Sequence, residues 1–159
     1  MAFNNEQAAT RVYSLVKQAC DEFRLRYEAK DGSKRVNFDI NGDYEPVAFS
    51  ITVNEKINVV FVLSDLSVQV DERYSEAVAQ ATNAVNCRLA YGSFDYNYQK
   101  GQITYRLPTN YTGMDMDIET TKQLILLTFA CVNKYNKPLS QVAKGAVSFD
   151  EFCQMIGGN

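Results

Sequence analysis

Hydrophobic positions change their spacing several times along the chain, and each change marks an element. Ala8, Val12, Leu15, Val16, Ala19 and Phe23 recur every three or four residues. That spacing gathers them on one stripe of a helix opening at Asn4 or Asn5. The period then falls to two. Leu25, Tyr27 and Ala29 alternate with Arg24, Arg26 and Glu28, a turn follows at Asp31-Gly32, and Val36, Phe38 and Ile40 alternate again. Asn41-Gly42-Asp43 marks the next turn. Residues 48–53 and 57–63 read as a second hairpin around Asn54-Glu55-Lys56. The run 58–62 has too few polar breaks for an edge strand, which predicts a central one.

Helical spacing returns over residues 72–89, with Asp71 as N-cap and Tyr74, Val78, Ala81, Val85 and Leu89 on the core face. Strands follow at 93–98 and 102–107, joined at Gln99-Lys100-Gly101. A third helix is expected from Asp117, and Pro138 is expected to kink or break it. Its centre, Leu124-Ile125-Leu126-Leu127, is apolar around most of the wheel, so more than one face should be covered. Ser148 and Glu151 have capping-box spacing for a short last helix that Gly157-Gly158 ends. No repeat or linker interrupts the pattern. It reads as a single α+β domain over 1–159: an antiparallel β-meander packed with helices.

Composition narrows the chemistry. The chain has 159 residues, 46 % of them hydrophobic and 22 % charged, which is ordinary globular usage. It contains no histidine, so Ser-His-Asp and Cys-His nucleophilic sites and His-ligated zinc are excluded. The formal charge of −3 lacks the basic excess of a nucleic-acid binder. Charge is unevenly placed: residues 11–35 hold seven basic and four acidic side chains, and 39–76 hold eight acidic and two basic. Cys20, Cys87, Cys131 and Cys153 lie far apart without a CxxC pair, so free thiols are expected. The start, Met1 to Glu6, has no basic segment leading into an apolar one, and no apolar run approaches membrane-spanning length. The expectation is a cytoplasmic protein with no membrane partner.

Several constellations resemble sites and fail on inspection. Residues 39–43 start like a calcium loop, but Tyr44 and Ser50 stand where that loop needs glycine and a bidentate glutamate. Asp115 and Asp117 sit where capping of the third helix accounts for both. Phe94, Tyr96 and Tyr98 share one strand face, and Ile103, Tyr105 and Leu107 share one on the next. RNA-binding sheets stack bases on such aromatics, but no basic patch or glycine-flanked aromatic motif accompanies these. They read as core, or as a sheet face that binds protein. No metal, cofactor or catalytic set is implied.

Two helix faces remain. Ala79, Asn83 and Cys87 lie opposite the core stripe of the second helix, where short side chains would let another backbone approach. Leu126 and Ala130 lie away from the main stripe of the third, and either pack under the last helix or meet a second copy.

Residues 81–95 (ATNAVNCRLAYGSFD), followed by 101–106 (GQITYR), resemble the YbjN family, described as bacterial sensory transduction regulators. The resemblance spans roughly residues 23 to 156. It implies a fold similar to type III secretion chaperones: helix, strands, helix, two strands, helix. Those chaperones are small, acidic, cytosolic, usually homodimeric, and hold extended segments of partner proteins. The chain departs from them by the additional hairpin-like segment at 25–40. The resemblance thus implies a non-enzymatic protein-interaction module, regulatory or chaperone-like, with a protein partner and a homodimeric state. The alternative is a small-molecule sensor with its ligand between the aromatic sheet face and a helix.

Overall fold

The period-two segments assemble into one antiparallel sheet of six strands. A computed structural model describes residues 5–157. Helix α1 (Asn5–Glu22) leads into strands β1 (Tyr27–Lys30), β2 (Arg35–Ile40), β3 (Val47–Asn54) and β4 (Val59–Asp65). Helix α2 (Ser75–Asn86) follows, then β5 (Ser93–Asn97), β6 (Gln102–Asn110), α3 (Ile118–Ala143) and α4 (Phe149–Gly157). The spatial order β1-β2-β3-β4-β6-β5 puts β4 in the interior, as its unbroken apolar run predicts. Both β4 and β5 run antiparallel to β6, so they are parallel to each other with β6 between them. The β4–α2–β5 connection is therefore a split β-α-β unit.

Register gives the sheet two unlike faces. Val36, Ile51, Val62 and Leu107 stand in line across four strands, and all are buried. Phe94 and Tyr105 continue the same face at the β5 side. All the helix packing is on that side: α1 against β2 and β3, α3 against β3, β4 and β6, and α2 against β5. The other face carries Asn37, Ser50, Thr52, Thr104 and Arg106, with half-buried Phe61 and Leu63 among them. Its polar groups bond to one another: Arg106 to Asp95 at 2.6 Å, Thr104 to Asp65 at 2.5 Å, and Arg35 to Thr52 at 3.0 Å.

Local expectations hold in most elements and shift in a few. On α1 the buried arc is Ala9, Val12, Tyr13, Val16, Ala19 and Cys20, so Ala8 and Leu15 sit at its margin. The arc is turned because α1 packs on the sheet and on α3 together. The alternative opening at Asn4 lies outside the described residues, as does Gly158. Asp71 caps a 3-10 turn, Glu72–Tyr74, and α2 proper starts after it. Asp117 caps α3 by accepting from the Thr120 N–H at 2.8 Å, but Asp115 instead pairs with Arg11 on α1. The Ser148–Glu151 box forms: Ser148 Oγ accepts from the Glu151 N–H at 3.2 Å, and Glu151 accepts from the Ser148 N–H at 2.7 Å.

Pro138 does not end α3, which runs 26 residues with the proline inside it. Proline removes one rung, the N–H that would reach the Lys134 carbonyl. Burial of Tyr135, Leu139, Val142 and Ala143 on both sides of that gap holds the helix together. The chain leaves α3 at Gly145, whose φ of 68° is the left-handed turn of a helix C-terminus. Its N–H donates to the Val142 carbonyl at 2.9 Å. No helix among the described residues is long and apolar enough to cross a membrane.

Candidate functional site

The sheet aromatics separate once the strands are assembled. Phe94 and Tyr105 are each 1 % exposed, their rings 5.1 Å apart at 59°, and Tyr135 of α3 meets Phe94 edge-on. They are core beneath the helices, and offer no aromatic surface to a partner. Tyr96 is half-buried and shares a hydrogen bond of 2.8 Å with Ser75 at the start of α2. Tyr98 lies beyond the end of β5, exposed in the turn and resting on Tyr96. Phe94, Tyr96 and Tyr105 thus share the helix-covered face and Tyr98 falls outside it, so the four form no common exposed face.

On α2, Asn83 and Cys87 are exposed and Ala79 is half-buried, while Val78, Ala81, Thr82 and Val85 face inward. Cys87 stands just past the last helical turn rather than within it. All four cysteines are free. Burial pushes the Cys131 thiol up to about 11, so it is protonated at neutral pH. Burial does the same to Cys20, up to about 12.

Leu126 and Ala130 are both exposed on α3, Leu126 to 46 %. The last helix packs against α2 and α3 without covering them. Leu124 and Ile125 do turn inward, so the apolar centre of α3 is covered on one side and open on the other.

Two hollows flank Ala130. One, about 280 Å³, lies toward the turn after α2, with Arg88, Tyr91, Leu127 and Cys131 on its walls and Tyr105 reaching it from the sheet. The other, about 530 Å³, lies toward the β2–β3 connection, with Tyr44, Lys137 and Pro138 on its walls. Ala130 and Lys134 line both, so the hollows lie side by side along α3 and together make a shallow trough with that pair at its middle. Tyr44 and Tyr91, two of the exposed large apolar side chains, stand on opposite sides of it. Ala79, Asn83 and Cys87 do not line either hollow. The structure therefore keeps the two predicted helix faces apart.

Backbone contacts set this trough. The Asp43 N–H donates to Asn133 Oδ1 at 2.7 Å, and Asn133 Nδ2 donates to Asp43 Oδ2 at 2.8 Å. That pair pins the β2–β3 connection to α3 and carries Tyr44 with it, giving the calcium-like segment a structural task. On the other side the Tyr105 hydroxyl donates to the Tyr91 carbonyl at 2.9 Å, fixing the loop that presents the Tyr91 ring. Burial, with Cys131 beside it, raises the Tyr105 phenol well above its ordinary value, so it remains a donor.

Tyr44, Tyr91, Arg88, Lys134 and Lys137 escape a sequence reading because three separated segments contribute them. Tyr91 directly before a glycine turn is the one local signal. Another hollow of about 280 Å³ lies between α1 and the segment after β6, lined by Ala8, Val12, Tyr111 and Met116. It contains none of the predicted residues. No group of three or more acidic or cysteine side chains that could hold a metal ion is found among the described residues. No protein-family model and no curated protein matches the chain.

Proposed function

We propose that the protein is a non-enzymatic interaction module of the cytosol, regulatory or chaperone-like, that holds a segment of a partner protein across the outer face of α3. The observation that carries this reading is the placing of exposed Tyr44 and Tyr91 on the two sides of the small Ala130; exposed Leu126 stands one turn before it on α3 but lines neither hollow. Apolar side chains left in water and clustered within a polar rim mark a contact surface more often than a chance exposure. The open sheet face is a weaker candidate, because its polar groups already satisfy one another. The chain has no histidine, and burial keeps the Cys131 thiol beside the trough protonated at neutral pH. The likeness of residues 81–95 and 101–106 to the YbjN family supports the regulatory side of the reading. A homodimer is part of the same proposal, through Ala79, Asn83 and Cys87 on the separate face of α2. Light scattering that finds only the 18.0 kDa monomer at micromolar concentration removes that part.

A second reading follows from the hollow that Tyr105 reaches. It lies between the sheet and a helix, and a compact molecule held there would make the protein a ligand sensor. Affinity capture from the native lysate, with wild type and Ala130→Arg compared by mass spectrometry, separates the two. A protein that co-purifies with wild type and is lost with Ala130→Arg supports the module. Identical protein sets overturn it, and a retained small molecule without a protein favours the sensor.

A further inference from the structure

We infer that the segment received by α3 is acidic, with one large apolar side chain as its anchor; this rests on the interaction reading above. The protein carries a net charge of −3, yet the walls of the trough carry Arg88, Lys134 and Lys137. Among the described residues, none of these three has a carboxylate within ion-pair distance. Seven cations elsewhere do, among them Lys34 with Glu55 at 2.8 Å, Arg73 with Asp71 at 2.6 Å and Arg106 with Asp95 at 2.6 Å, while six others among the described residues also lack one; what marks the trough is that three such cations gather on its walls. Asp43 is the one carboxylate lining either hollow, and Asn133 holds it. Lys134 also lies over its neighbour Tyr135, 5.2 Å from the ring centre, a contact that does not neutralise its charge, and its side chain is exposed.

The positions are ordered. Arg88 belongs to one hollow, Lys137 to the other, and Lys134 to both. An extended chain rises about 3.3 Å per residue, so carboxylates along a short segment crossing at Ala130 would meet the cations in turn. Ala130 has no side chain beyond Cβ to hold that segment away. The 280 Å³ hollow falls just short of the roughly 300 Å³ at which pockets for drug-sized ligands begin, and so suits a single side chain. Its Leu127, Ala130 and Cys131 walls make that side chain apolar. Unpaired cations around an apolar seat select against basic and neutral partners as well as attracting acidic ones.

The test selects a random dodecapeptide display library on the full chain and measures the recovered peptides by fluorescence anisotropy. The expected peptides carry an acidic excess around an apolar residue. They bind about tenfold more weakly to Lys134→Glu/Lys137→Glu, since two rim pairs are together worth roughly 1–2 kcal/mol. Raising salt from about 0.1 M to about 1 M weakens them too, as the screening length drops from about 10 Å to about 3 Å. Ala130→Arg, on an exposed helix position where folding is checked by circular dichroism, abolishes them. Peptides without an acidic excess, or equally bound by the charge-reversed variant, overturn the inference; if Ala130→Arg still removes them, the module reading stands. Failure to recover any peptide sensitive to Ala130→Arg overturns both. A single-stranded oligonucleotide that competes for Lys134 overturns the inference in favour of nucleic acid. A dimer that Ala130→Arg converts to monomer overturns it in favour of a second copy.

Discussion

The carboxamide of Asn86 and the backbone of Phe94 exchange two hydrogen bonds. Asn86 Nδ2 donates to the Phe94 carbonyl at 2.9 Å, and the Phe94 N–H donates to Asn86 Oδ1 at 2.7 Å. Phe94 lies on β5, which closes one edge of the sheet, so the last residue of α2 occupies the place of a further strand. An open edge invites pairing with another chain, and this one is plugged at Phe94, near its start. Recognition by strand addition at β5 is thereby disfavoured, which agrees with placing the contact surface on α3.

Replacing Asn86 by alanine removes both bonds and leaves Phe94 with an unmet donor and acceptor. We expect a loss of about 2 kcal/mol in urea unfolding. Concentration-dependent self-association should appear alongside it by light scattering. An unaltered unfolding midpoint would show that the plug contributes nothing.

Thr128 offers the opposite case. It is 0 % exposed in the middle of α3, and its hydroxyl has no hydrogen-bond partner among the described residues. Valine has nearly the same shape and no polar atom to desolvate. Thr128→Val should therefore raise stability by about 1 kcal/mol, read as a higher urea midpoint at unchanged slope. Destabilisation would mean that the hydroxyl is satisfied in solution.

Gly92 turns the chain from α2 into β5 with φ of 67°. A Cβ there would sit on the Tyr105 hydroxyl and 2.9 Å from the Arg106 carbonyl oxygen. Gly92→Ala combines left-handed strain with a collision in the core, and should cost about 2 kcal/mol or more. It should also disturb the Tyr105–Tyr91 bond, so peptides selected on wild type should weaken with it. A variant as stable as wild type contradicts this geometry.

Asp71 supplies a pH dependence. Its side-chain bond from Arg73, and then the Arg73 backbone N–H, lower it from the ordinary 3.8 to about 2. The folded value lies below the unfolded one, so its contribution is complete above about pH 4 and fades as pH falls through about 2. The stability gap between wild type and Asp71→Asn should be constant near neutrality and close over that acid window. Urea midpoints measured at several pH values check it. A gap of equal size at every pH overturns the assignment to this carboxylate.

Much of the fold is legible in local pattern. The switch from a three-to-four spacing over Ala8–Ala19 to alternation at Val36 and Phe38 reports the face each residue buries, whereas on the edge strand β1 the same alternation leaves Ala29 exposed. The Ser148–Glu151 box and the Asp117 cap are likewise written in adjacent side chains. Pro138 does not break α3, because the local penalty of one lost hydrogen bond is smaller than the tertiary burial on both sides of it. Phe94 and Tyr96 on β5, and Tyr105 on β6, share a face as read, whereas Tyr98 lies past the strand end, and alternation alone does not say which face the helices cover. Asp115 is assigned to capping because its partner, Arg11, is more than a hundred residues away in sequence.

The sequence by itself determined the elements, their caps, the central place of β4 and the exclusion of histidine chemistry, because those follow from spacing, short-range bonding and residue inventory. Only the tertiary structure decided what Ala130 looks out upon. Tyr44, Tyr91 and the trough cations Arg88, Lys134 and Lys137 come from separate segments, joined by the Asn133–Asp43 and Tyr105–Tyr91 hydrogen bonds. Contacts of that range depend on how α3 lies across the sheet, and no local period encodes it.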